Sequence, residues 1–182
     1  NDRGGRILRV YKGEAGRLGL KRSSGPGDTM EYTAEQLGQL NKTLQELADE
    51  EYRTFHSKLI PNVDTVFYGV RVPVLRKLAK QIIKGDWRGF VEMTKQSAVY
   101  EMNMLCGMVI ALAKCGFQEK LLYLEKFILS INNWAVCDIV CGDLKDVKKH
   151  PGEMYEFIQP YLLSEKEYEV RFAVVILLQY FV

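Results

Sequence analysis

The residues best suited to chemistry lie in Asn132-Asn133-Trp134-Ala135-Val136-Cys137-Asp138. Trp134 and Asp138 are four positions apart, so a helix puts them on one face, one turn from each other. A carboxylate beside an aromatic face suits a cation. A second element, Tyr168-Glu169-Val170-Arg171-Phe172, stands near the start of the last expected helix. Two basic groups accompany them: Arg71, Arg76, Lys77 and Lys80 upstream, and Lys145, Lys148, Lys149 and His150 after the tryptophan. Either could touch phosphates, although a charge run at a helix end is commonly just a solvated face.

Each residue also has a plainer reading. Asp138 can pair with Lys145 or Lys148, Trp134 can be a core aromatic, and Arg171 can pair with Glu167 one turn earlier. Metal chemistry is disfavoured, because Cys106, Cys115, Cys137 and Cys141 show no paired C-x-x-C spacing and His56 and His150 are the only histidines. Three of the four cysteines fall in strongly apolar helical stretches, which suits reduced, buried thiols.

The elements that must position these residues are helical. Thr33 is placed to cap a helix carrying Leu37, Leu40, Leu44 and Leu47, expected to run to about residue 56. Ile60-Pro61-Asn62-Val63-Asp64 breaks it, and a loop follows through Gly69. Pro73 suits the first turn of the next helix, with Leu75, Leu78, Ile82 and Ile83 inward and Arg76, Lys77 and Lys80 outward. Asp86 caps a short helix to about residue 95. Residues 100–114 are apolar nearly all round and predict a central buried helix ended by Gly116. Phe117, Leu121, Leu124 and Ile128 mark another, and Asn132 or Asn133 caps the helix containing Trp134. Pro151 opens the next, which Pro160 should kink or end early, and a last helix starts near Ser164.

No strand pattern competes. Helix pairs near 71–95, 99–130 and 132–163 predict an all-α, HEAT-like solenoid (an α-α superhelix of stacked antiparallel helix pairs) over residues 30–182; the bland alternative is an irregular bundle. Residues 173–182 remain apolar to the last position, where a solenoid normally carries a polar cap. The expectation is therefore that the repeat domain is incomplete at its C-terminus.

Residues 1–29 differ in kind: they hold seven of the 15 glycines and balance seven basic against three acidic residues. They read as a flexible, Gly/Arg-rich extension, with Met30 a plausible natural start. The remainder, 30–182, holds 18 of the 25 basic and 20 of the 23 acidic residues, so any basic stripe must be local. No window has the length and apolarity of a membrane span and no signal peptide opens the chain, which places it in the cytoplasm.

At these residues the chain resembles a known family. His56-Ser57-Lys58-Leu59-Ile60-Pro61, then Gly69-Val70-Arg71-Val72-Pro73-Val74-Leu75-Arg76-Lys77-Leu78-Ala79-Lys80, then Asn133-Trp134-x-x-Cys137-Asp138, then Val170-Arg171-Phe172, follow the order seen in DNA alkylation repair proteins, the AlkD-type DNA glycosylases. The resemblance spans roughly residues 40–182. It implies a HEAT-like solenoid holding alkylated double-stranded DNA, with Asp138 and Trp134 at the lesion and Arg171 completing the cluster against the DNA backbone. Arg71, Arg76, Lys77, Lys145, Lys148 and Lys149 are the accompanying DNA-binding candidates. No cofactor, metal or membrane is expected, and the protein is expected to be a monomer.

The chemistry stands on its own terms. A purine alkylated at N3 or N7 is already cationic, so its glycosidic bond is weak and leaves without a general acid. Cleavage builds positive charge on the sugar, which one carboxylate can stabilise. Opposite unit charges about 4 Å apart at an effective dielectric of about 20 attract by roughly 4 kcal/mol. Realised only in the transition state, that is on the order of 10³ in rate. Cation–π contact with Trp134 adds about 0.5–2 kcal/mol and selects the charged base. The competing reading is a non-catalytic module that binds nucleic acid structure or a protein partner on the same scaffold.

Overall fold

The computed structural model describes residues 31–60 and 65–182. The extension expected over 1–29 and the helix-breaking run Pro61-Asn62-Val63-Asp64 lie outside the described residues.

Thr33 caps α1 (Ala34–Glu46) in a reciprocal box. Its hydroxyl accepts from the Gln36 amide at 3.2 Å and the Gln36 side chain accepts from the Thr33 amide at 2.8 Å. The single helix expected to about residue 56 is in fact two. The chain breaks at Leu47–Asp49 and restarts as α2 (Glu50–Ser57). Asp49 makes the break: its carboxylate caps Tyr52 at 2.9 Å while its own amide donates to the Gly69 carbonyl at 3.0 Å. The apolar period runs through Leu47 and hides this.

α3 (Val72–Ile82) starts on Pro73 as expected and buries Leu75, Leu78, Ala79 and Ile82. Arg76 does not point freely outward, because it is half-buried in an ion pair described below. α4 (Trp87–Thr94) is capped by Asp86, whose carboxylate accepts from Gly89 at 3.0 Å. α5 (Tyr100–Leu112) is the central helix, with every residue but Leu112 buried. It ends at an extended Ala113 rather than at Gly116. Gly116 has φ −59° and precedes α6 (Phe117–Ile128) as its N-cap.

α7 (Trp134–Asp143) runs into a 3-10 turn at Lys145–Lys149. α8 (Pro151–Leu162) continues through Pro160, which removes the N–H that would have bonded the Glu156 carbonyl, and stops two residues later. α9 (Glu167–Tyr180) follows. No strand forms among the described residues; Val66 and Val99 make an isolated bridge.

The packing is that of an all-α, solenoid-like stack. α3, α5, α7 and α9 form a row in which each lies on the next; α4 and α6 cover α5, and α8 covers α9. Gly107 lets α5 approach its neighbours closely, since a Cβ there would stand 2.4 Å from Val140 Cγ2 and 2.5 Å from Phe127 Cζ. Gly107→Ala should therefore destabilise the fold by about 1–3 kcal/mol despite alanine's better helix propensity, read as a lower denaturation midpoint.

Two buried charges staple the stack. Glu101, fully buried on α5, accepts from the amides of Tyr68, Gly69 and Val70 at 2.8–3.2 Å. Lys120 on α6 is 1% exposed, donating to the Ala111 carbonyl at 2.9 Å and to Asp146. Among the described residues no helix is long and apolar enough to cross a membrane.

Candidate functional site

Asn133 starts the site. Its side chain accepts from the Val136 amide at 2.9 Å, and its amide nitrogen donates to the Asn132 side-chain oxygen at 3.0 Å. With 2% of its surface exposed, this cap fixes where α7 begins and so which way its first residue, Trp134, faces. Asn133→Ala should lower stability by about 1–2 kcal/mol, measured by urea unfolding.

Trp134 is half-buried, packed at the edge of the core. Its indole N–H donates to the Leu59 carbonyl at 3.0 Å, tying α7 to the turn after α2. One turn on, Asp138 is gripped by Arg171 of α9 through two parallel bonds. Arg171 Nε donates to one carboxylate oxygen at 2.8 Å and Nη2 to the other at 2.7 Å. Both side chains stay open to solvent, at 33% and 39% exposure. The carboxylate hydrogen bonds hold the Arg171 guanidinium above its ordinary range.

Arg171 is itself placed by the start of α9, where Glu169 accepts from the Ser164 hydroxyl at 2.6 Å and from Lys166 at 3.0 Å. The plainer pairings do not form: Asp138 joins neither Lys145 nor Lys148, and Arg171 reaches across to α7 rather than back to Glu167.

The basic candidates divide. Arg71, exposed at the start of α3, bonds Asp49 at 2.9–3.0 Å and lies 5.2 Å over the Tyr52 ring. Arg76 Nε donates to both carboxylate oxygens of Asp143, at the C-terminal end of α7, at 3.0–3.1 Å. These two acids were not singled out from the sequence, and each offsets the charge of an arginine that was. Lys77 is exposed on α3, and Lys145, Lys148 and Lys149 are exposed on the 3-10 turn that continues α7.

Sequence reasoning also missed what stands behind Trp134. The rings of Tyr52, His56, Phe67, Tyr100 and Trp134 cluster: His56 stacks on Tyr52 at 5.0 Å and its centroid lies 6.3 Å from that of Trp134. Phe67 meets Tyr100 edge-on at 4.8 Å. These residues come from three helices and a loop, and no local spacing links them.

Among the described residues no group of three or more His, Cys, Asp or Glu could hold a metal. The cysteines are all free; Cys106, Cys137 and Cys141 are buried and Cys115 is partly so.

A profile of the family described as DNA alkylation repair enzyme matches residues 40–182. The chain belongs to that family. The family's description carries a DNA repair role and interaction with DNA to the domain as a whole. The matched span opens at Leu40 in α1 and takes in every helix that contributes to the site, so Trp134, Asp138 and Arg171 all fall within it. No curated protein and no solved structure matches the chain.

Proposed function

We propose that this DNA alkylation repair protein is a glycosylase, removing cationic N3- or N7-alkylated purines from duplex DNA by hydrolysis of the N-glycosidic bond. The observation that carries the reading is the forked Asp138–Arg171 pair, half-open to solvent, one turn from Trp134 on the same face of α7. Asp138 faces the developing charge on the sugar, and its orientation is set by Arg171 rather than by flexible solvent contact. A guanidinium has five N–H donors and Asp138 uses two, so Arg171 can hold the carboxylate and a backbone phosphate together. Trp134, with its N–H already committed to Leu59, offers its ring face to the cationic base. Lys145, Lys148 and Lys149, exposed just past the far end of α7, are placed to meet phosphates further along the duplex.

One observation favours a second reading, a binding scaffold without catalysis. Arg171 occupies both oxygens of Asp138, as a purely structural clamp between α7 and α9 would. Incubation with methylated duplex DNA separates the two. Release of free 7-methylguanine or 3-methyladenine supports the glycosylase; a folded protein that binds the duplex and releases neither base leaves the scaffold reading. Under the glycosylase reading Arg171→Ala should weaken DNA binding and flatten its salt dependence by about one unit of log–log slope, since one phosphate contact is lost.

A further inference from the structure

His56 is a buried histidine that the mechanism above does not use, 8% exposed at the end of α2. It bears on Trp134 in two ways, one direct and one through Leu59. Its ring packs against the indole, at 6.3 Å between centroids and 52° between planes. Its carbonyl accepts from the Leu59 amide at 3.0 Å, shaping the turn whose own carbonyl receives the Trp134 N–H. We propose that His56 is a positioning residue for Trp134 that sets the charge behind the aromatic platform, so that the site binds a cationic base more tightly while the imidazole is neutral. The inference rests on the glycosylase reading for its substrate but not for its geometry.

The surroundings favour the neutral ring. His56 Nε2 lies 3.3 Å from the Tyr100 hydroxyl of α5, and Tyr52 of its own helix stacks on its face. Burial holds the imidazole below the usual histidine value of 6.5. The charged groups that bear on this cluster are Arg71 from the start of α3, over Tyr52 and paired with Asp49, and Glu101 of α5, whose charge bears on Tyr52 and Tyr100. Both tyrosines are pushed above their ordinary range by burial and stay neutral throughout. His56 and Glu101 are therefore the groups in the cluster that can change charge between neutral and mildly acidic pH. A protonated imidazole about 10 Å from a cationic base would weaken its binding roughly tenfold through a medium of effective dielectric about 20.

Trp87 and Trp134 are the two tryptophans, so a Trp87→Phe protein reports Trp134 alone. Its fluorescence, titrated from pH 8 to pH 5, should be quenched with a midpoint below 6.5 as His56 protonates. The transition should vanish when His56→Gln or His56→Phe is added, the second variant keeping a ring that cannot charge. Release of 3-methyladenine should fall about tenfold across the same window in the parent and stay level in His56→Gln. No transition in the single-tryptophan parent overturns the proposal, and this needs no His56 variant to fold. A transition that persists in His56→Gln also overturns it and assigns the titration to Glu101. Quenching without any base release upholds the His56–Trp134 coupling and sinks the glycosylase reading instead.

Discussion

Asp138→Asn should lower the rate of base release by about 10³ while leaving affinity for methylated duplex DNA unchanged or slightly tighter. The rate effect follows from roughly 4 kcal/mol of attraction between a carboxylate and the charge that grows on the sugar, present in the transition state and absent before it. Affinity should not suffer, because on the proposed reading the substitution removes a negative charge from a surface that would meet phosphates. The pairing with Arg171 makes the variant informative. Asparagine keeps one acceptor toward the guanidinium, so the side chain stays near its place, and the exposure of both groups lets water satisfy what is left. Single-turnover release compared with equilibrium binding separates the outcomes. Equal loss in both would mean that Asp138 organises the surface rather than the reaction, and an unchanged rate would remove it from the chemistry.

Glu101→Leu should be strongly destabilising, costing on the order of 4 kcal/mol. Three amides in sequence, those of Tyr68, Gly69 and Val70, end on this carboxylate, and each buried N–H left without an acceptor costs about 1–3 kcal/mol. They belong to the segment that turns into α3, and Gly69 there has φ +92° with Asp49 and Arg53 packed against it. The chain has little freedom to find other partners. In a domain of this size such a loss lowers the melting temperature by about 8–16 °C, which calorimetry would show. Glu101 also carries a pH signature. Burial raises its pKa above the ordinary 4.5, the amides opposing only in part, so the folded state holds the proton more tightly than the unfolded chain. Stability should therefore rise as pH falls through that raised value toward 4.5, and Glu101→Gln should abolish the rise.

Helix identity was legible wherever apolar period and cap coincide, as at Thr33, Asp86, Pro73 and Asn133. The break at Asp49 was not, because its decisive bond runs to Gly69, twenty residues on. Gly116 illustrates the opposite error: a glycine between two helices can as well begin one as end one, and only its φ decides. At the site, Trp134 and Asp138 could be paired by helical spacing alone. That Arg171 grips Asp138 is a contact across 33 positions, and without the family likeness its own Glu167 was the nearer partner. Glu101 had a local signal, a carboxylate on a helix that is otherwise apolar but for Asn103, which asks for buried donors.

The indole of Trp134 hangs between two regions of unequal strength. Its own helix sits inside the row of stacked helices, but the Leu59 carbonyl that receives its N–H follows α2, whose one buried residue is His56. In amide hydrogen exchange α5 and α7 should open only with the whole domain, while α2 should exchange through local fraying at far lower cost. Each such opening releases the indole while Asp138 and Arg171 stay paired. The aromatic wall can then breathe independently of the charged centre beside it, and a bound partner that pins α2 would be felt first as slower exchange at Leu59.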